Sequence, residues 1–150
     1  MTLWEPFMNR ISRQLTIGTF GELLVQLRLL QFDVQAAPPL KDSGNDLIAI
    51  RGEEIRTVQV KTTTGRRFRL GALPRRYHVL ALVALVGAGR ILRLDKCRIF
   101  LLPRSDIKRR SYDLEALRQY ELDSGVIDLL FPNPRCLTSR CRRQPRPGRA

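Results

Sequence analysis

Histidine is almost absent from this chain of 150 residues, since His78 is the only one. A nucleophilic triad that uses histidine as its base therefore has little material to draw on. His78 adjoins an apolar, strand-like run, and we expect it to be an ordinary strand-edge residue. A zinc site built from His78 and Cys97 is a weak alternative.

Cysteine is scarce as well, and its number is odd. Cys97, Cys136 and Cys141 cannot all pair, so the chain has no disulfide framework. Cys136 and Cys141 have a wide C-x4-C spacing with no second pair of ligands nearby. This usage of cysteine predicts a location in the reducing cytoplasm.

Long hydrophobic runs are also missing. The longest, Val79 to Ala88, has about 10 residues, whereas a membrane-spanning helix needs about 20. It is rich in valine and leucine and is typical of a buried strand. The first residues, Met1 to Pro6, lack the basic and then apolar pattern of a signal peptide. We therefore expect no membrane partner.

Acidic residues are few, with 14 Asp and Glu against 27 Lys and Arg. The net charge of +13 favours a polyanionic partner, and nucleic acid is the commonest one. A basic surface kept for solubility is the alternative, but the charge is clustered. Two clusters are expected to bind DNA, and their members are Arg66, Arg67, Arg69, Arg75 and Arg76 in the first and Lys108, Arg109 and Arg110 in the second.

A third basic cluster lies at the C-terminal end of the chain. From Pro134 the sequence is rich in proline and arginine and has no acid, which predicts a tail that is disordered when free. We therefore expect one domain over residues 1–133 and an Arg/Pro-rich tail over residues 134–150. The tail would add salt-sensitive attraction to DNA without regard to sequence.

Hydrophobic periodicity predicts one helix early in the chain, from Asn9 to Phe32. Gly18 and Gly21 interrupt the pattern, so a well-formed helix is expected from Thr19 onward, with Thr19 as a candidate cap. A second helix is predicted from Leu114 to Leu122.

The second predicted helix has Asp113 as its candidate cap. The apolar segment from Val126 to Phe131 is either a surface for assembly or a completion of the core. Strands are predicted at Asp33–Ala37, Asp46–Arg51, Ile55–Thr62, Tyr77–Val86, Ile91–Leu94 and Arg98–Leu102. The order of elements predicts an α/β or α+β fold with a mixed central sheet flanked by helices.

The most informative stretch is the pair of strands that carries Asp46, Gln59 and Lys61. Gly52 lies in the turn between them, which predicts an antiparallel hairpin. Because side chains alternate along a strand, Gln59 and Lys61 share one face, and Val60 points into the core. Asp46 opens its strand, so an acid, an amide and a lysine should lie close together.

These side chains have the chemistry of a metal-assisted phosphodiester cleavage site. The carboxylate of Asp46 and the backbone carbonyl of Val60 are oxygen ligands that suit Mg²⁺ or Mn²⁺. Glu22, on the first helix, could close the metal site from the side. Lys61 could hold the attacking water or stabilise negative charge in the transition state. The alternative is a solvated hairpin in which Asp46 caps a turn.

The order Gly21-Glu22, Gly44-Asn45-Asp46 and Gln59-Val60-Lys61 resembles the PD-(D/E)XK nuclease superfamily over roughly Thr19 to Thr63. Within it, the chain looks most like the small bacterial group I intron homing endonucleases, which have glutamine at the second acidic position. The resemblance implies a restriction-endonuclease-like core, a divalent metal and a homo-oligomer that acts on double-stranded DNA. Asp46 would be the main metal ligand, Lys61 the catalytic lysine, Gln59 the replaced acid and Glu22 the helix acid.

Two other functions remain open at this point. A Holliday-junction resolvase would share the same catalytic core. A non-catalytic basic protein that binds nucleic acid is the alternative from another class, and Gln59 favours it because an amide in place of an acid removes one charge from the metal site.

Overall fold

The computed structural model describes residues 11–41, 44–88 and 91–132. Two α-helices, α1 (Arg13–Leu30) and α2 (Ser124–Leu130), accompany a five-stranded mixed sheet. The five-stranded sheet and two small two-stranded sheets together contain the described strands. These are β1 (Gln35–Ala37), β2 (Leu47–Arg51), β3 (Glu54–Thr63), β4 (Arg67–Arg69), β5 (Val79–Ala84), β6 (Gly87–Ala88), β7 (Ile91–Leu92), β8 (Arg98–Pro103) and β9 (Ser111–Asp113). The fold is therefore α+β, as the sequence predicts.

The central sheet has the order β1-β2-β3-β5-β8. Strands β3 and β5 are parallel, and the other neighbours are antiparallel. The predicted hairpin is confirmed, because β2 and β3 pair from Leu47↔Val58 to Arg51↔Glu54. Gly52 lies in its turn with φ 59°, a conformation that glycine adopts without steric cost.

The sheet separates two apolar layers because side chains alternate along each strand. On one face, Val58 and Val60 pack with the buried residues of α1 and α2. On the other face, Leu80 and Leu82 pack with Phe68 and other residues outside the two helices. All six residues of β5 are buried, since both faces of this strand are covered.

Helix α1 begins earlier than its glycines suggest. Its N-cap is Ser12, whose hydroxyl accepts a hydrogen bond from the Leu15 amide, so the prediction of Thr19 as the cap is wrong. Gly21 lies inside the helix, and a Cβ placed there would be 1.9 Å from Thr62 Oγ1. The glycine lets the helix approach β3 closely, and this contact positions the next residue, Glu22.

Two segments of the second half differ from their predictions. The basic stretch 65–76 contains strand β4, which pairs with β9. The predicted helix from Leu114 to Leu122 is a 3₁₀ segment, Glu115–Tyr120. Asp113 does not cap it, because Asp113 ends β9 and its carboxylate forms an ion pair with Arg67 at 2.8 Å.

The apolar segment Val126 to Phe131 completes the core, so its interpretation as an assembly surface is wrong. Ile127 and Phe131 are 0% exposed, and among the apolar residues of the segment only Leu129, at 75%, faces mainly outward. Arg51 and Arg56 donate to carbonyls at the C-terminal end of α2 and fix it on the hairpin. Helix α1 and the residue before its cap expose large apolar side chains. These are Ile11, Leu15, Leu23, Leu27 and Leu30.

The remaining differences concern strand ends. The predicted strand Tyr77–Val86 is shorter, as β5, and the predicted turn at Gly87 is part of strand β6, which pairs with β7.

The predicted helix start at Asn9, the tail 134–150 and the two cysteines Cys136 and Cys141 lie outside the described residues. Neither helix in the described part of the chain has the length and apolar character needed to cross a membrane.

Gly21→Ala tests the close approach of α1 to β3. We expect it to lower the free energy of unfolding by about 1–3 kcal/mol, since the new methyl group must displace the helix or Thr62. The matched control is Gly18→Ala, where nothing lies within 4 Å, and there alanine should stabilise the helix by about 0.5–1 kcal/mol. Denaturant unfolding measures both, and equal effects of the two substitutions would contradict the packing described.

Candidate functional site

Asp46 lies at the point where the hairpin opens. Strand β2 starts at Leu47, which pairs with Val58 of β3. Val60 lies two residues further along β3, so the side of its backbone that faces β2 has no partner strand. The Asp46 carboxylate takes that place, because its Oδ2 accepts a hydrogen bond from the Val60 amide at 2.6 Å. The missing strand pair thus fixes a carboxylate at the edge of the sheet.

Gln59 orients the same carboxylate oxygen. Its Nε2 donates to Asp46 Oδ2 at 2.5 Å, and the residue is only 8% exposed. Among the described residues it is the one buried polar side chain. The amide nitrogen faces the acid, so Gln59 acts on Asp46 as a donor, which the sequence alone did not indicate.

Glu22 lies close enough to Asp46 for their charges to interact. Burial raises the pKa of Glu22 above its ordinary value of 4.5, and the negative charge of Asp46 raises it further. The contact of Gly21 with Thr62 places this carboxyl group at the level of the opened hairpin. The structure therefore brings together Glu22, Asp46, Gln59 and Val60.

Lys61 follows Gln59 along β3 on the same face of the sheet. Gln59 is level with Leu80 of β5, and Lys61 is level with Leu82. Within the described residues, the ammonium group of Lys61 makes no hydrogen bond or ion pair. Its charge is therefore not neutralised by any group in that part of the chain.

The donor set at this edge fits a hard divalent cation. It consists of oxygen atoms: the carboxylates of Glu22 and Asp46 and the carbonyl of Val60, which points to the same side of the strand as the Val60 amide. Over 11–41, 44–88 and 91–132, no three His, Cys, Asp or Glu side chains form a ligand group. A cation here would be held by two carboxylates and neutral oxygens.

The two predicted basic clusters form one surface. Strand β4 pairs with β9, which follows Lys108, Arg109 and Arg110 directly. The amide of Leu70 donates to the Arg110 carbonyl, and the Arg110 guanidinium donates to the Gly71 carbonyl at 2.9 Å. This surface covers the face of the sheet that carries Gln59 and Lys61.

The predicted DNA-binding residues differ in what their side chains contact. Arg67 is held by Asp113 through two hydrogen bonds, whereas Arg110 is fixed to Gly71. The other members of the clusters are exposed: Arg66, Arg69, Arg75, Arg76, Lys108 and Arg109. Arg104 belongs to the same surface, where it lines a groove with Lys108, and no sequence cluster marked it.

No protein-family model matches the chain, and no curated protein matches it. Among solved structures, the chain is similar to that of a bacterial homing endonuclease, I-Ssp6803I, with 16% sequence identity and a TM-score of 0.49. The alignment covers 91% of this chain and 86% of the other.

The raised pKa of Glu22 predicts how stability varies with pH in metal-free buffer. Above pH 4.5 the unfolded chain loses this proton before the native state does, so the free energy of unfolding falls as pH rises through the raised pKa. Glu22→Gln removes that decrease and should raise the melting temperature at neutral pH. Thermal unfolding between pH 4 and pH 8, a range of about four units, measures the melting temperatures of the unmutated protein and of Glu22→Gln.

Glu121 is the matched control with the opposite sign. Arg98 holds its carboxylate through two hydrogen bonds and lowers its pKa. The stability it contributes is present above its ordinary pKa and is lost as the pH falls through the lowered one, so Glu121→Gln should destabilise at neutral pH. Equal responses of the two variants would contradict the raised pKa of Glu22.

Proposed function

We propose that this chain is a site-specific DNA endonuclease of the intron-homing type, which hydrolyses phosphodiester bonds of double-stranded DNA with Mg²⁺ or Mn²⁺. The observation that carries the proposal is the fixed carboxylate of Asp46. It accepts hydrogen bonds from Val60 and Gln59 and lies beside Glu22, whose pKa is raised by burial and further by the charge of Asp46. Two acids held together at the edge of a basic surface suit a metal-assisted attack on phosphate.

Each side chain has a separate part in the proposed reaction. Asp46, Glu22 and the Val60 carbonyl would hold the cation, which when bound polarises the phosphate and lowers the pKa of a coordinated water. Gln59 is a positioning residue, since it acts through Asp46. The ammonium of Lys61 would stabilise the charge that develops when water attacks phosphorus and the bond to the leaving oxygen breaks.

The basic surface supplies the contacts that hold the substrate. It faces the same side of the sheet as Lys61, so a DNA backbone bound there would lie over the site. Phosphate contacts of this kind fix register without reading sequence. Arg66, Arg69 and Arg75 are exposed and could also read guanine through paired hydrogen bonds.

We also propose that the protein is a homo-oligomer, a dimer or a tetramer. One domain holds one candidate site, so cutting both strands calls for two subunits or for two successive nicks. The predicted cytoplasmic location and the division into a domain, 1–133, and a tail, 134–150, belong to the same proposal. Light scattering of the purified protein measures its mass in solution and tests the first part.

Cleavage of plasmid DNA tests the activity. With Mg²⁺ the unmutated protein should nick or linearise DNA, and Asp46→Ala or Lys61→Ala should lower the rate at least 100-fold, since each removes a group needed in the transition state. Lys96→Ala is the matched control, because Lys96 is exposed and lies beside Asp95 at 3.9 Å. It should cleave as the unmutated protein does.

Two outcomes separate the alternatives. Preference for a four-way junction over linear duplexes would favour a Holliday-junction resolvase. A folded protein that binds DNA but cuts neither substrate with Mg²⁺ or Mn²⁺ would be the non-catalytic binding protein, and the endonuclease proposal would be wrong.

Metal binding can be measured without cleavage. Mg²⁺ or Mn²⁺ should raise the melting temperature in a concentration-dependent way, because a ligand of the native state stabilises it by mass action. Asp46→Asn should abolish most of this rise, and Glu22→Gln should reduce it. A rise of the same size in Asp46→Asn would place the cation elsewhere.

A further inference from the structure

An open cleft of about 850 Å³ lies next to the candidate site. Its lining includes Asn45, Thr57, Arg76, His78 and Arg104. Asn45 directly precedes Asp46 in the chain. Thr57 precedes Gln59 by two residues on the same face of β3, which is about 6.8 Å along a strand. The cleft therefore continues the row of side chains that includes Gln59 and Lys61.

The charge of the cleft favours an anion. Among the described residues, no acidic one lines it, and Arg76 and Arg104 are exposed. Arg104 lies over the ring of Tyr77 at 5.3 Å, which holds its guanidinium at the rim. Neither arginine makes an ion pair with a residue in the described part of the chain.

His78 adds a directed donor. The Thr57 amide donates to its Nδ1 at 3.0 Å, and the Thr57 hydroxyl lies 2.9 Å from the same atom. Because Nδ1 is the acceptor, the ring proton is on Nε2, the nitrogen on the far side of the ring from Thr57. An anion in the cleft can accept a hydrogen bond from this Nε2–H group.

Asn45 lines the cleft, but its Oδ1 is buried and has no hydrogen-bond partner within the described residues. A ligand in the cleft cannot reach a buried atom, so the lining offers contacts to a phosphate and none to a base.

We propose that this cleft binds a backbone phosphate of the DNA strand next to the scissile phosphate. That phosphate contacts Arg76, Arg104 and His78. The cleft thus sets the register of the strand over Asp46. This inference rests on the proposed function, because it names a further part of the same substrate interface.

Equilibrium binding in chelator tests the proposal without cleavage. A fluorescent duplex of random sequence is titrated with protein at several salt concentrations. Arg76→Ala and Arg104→Ala should each weaken binding and reduce the slope of log K against log salt by about 1, as expected for the loss of one phosphate contact. Arg93→Ala is the matched control, since Arg93 is exposed, lies outside the cleft and is 3.8 Å from Asp95.

The outcomes distinguish this inference from the proposed function. If Arg76→Ala and Arg104→Ala keep the salt slope of Arg93→Ala, the cleft inference is wrong, and plasmid cleavage still decides the proposed function separately. If the unmutated protein does not bind the duplex, the proposed function fails. Should Arg104→Ala not fold for want of its contact with Tyr77, Arg76→Ala decides, since Arg76 has no such contact in the described residues.

Discussion

The site depends on a strand that outlasts its partner. Strand β3 has 10 residues and β2 has only 5, so beyond Val58 one side of β3 loses its ladder. An unpaired buried amide would cost about 1–3 kcal/mol, and Asp46 removes that cost by accepting from Val60. Folding and the proposed chemistry therefore use the same carboxylate. Helix α1 covers the opened region through the contact of Gly21 with Thr62 and adds Glu22.

The sequence predicts much of the first half of the molecule, which contains α1, β2 and β3, because its signals are local. Alternation in β3 and a glycine turn indicate the hairpin, and the spacing of Gln59 and Lys61 assigns them to one face. The sequence does not predict the start of helix α1 correctly, because Gly18 and Gly21 resemble interruptions of a helix. Gly21 is instead required by tertiary packing against Thr62, which lies 41 residues later and leaves no local trace.

The basic half is less predictable for a physical reason. Strands β4 and β9 have three residues each, too few to show a period, and they pair across more than 40 positions. The sequence predicts Asp113 as a helix cap, whereas in the structure its carboxylate forms an ion pair with Arg67. The pairing converts two separate charge clusters into one surface. A different pairing, Val79 with Pro103 between β5 and β8, brings His78 and Arg104 together at the interface that we propose, although neither stands in a cluster of the sequence.

Gln59 has an evolutionary consequence. Glutamine and glutamate codons differ by one base, so an acid at this position is a single point mutation away. That mutation would exchange the Nε2 donor for an acceptor facing Asp46 Oδ2 in a position that is 8% exposed. The shortest genetic path is thus blocked by a local repulsion, unless a cation or a proton arrives with it.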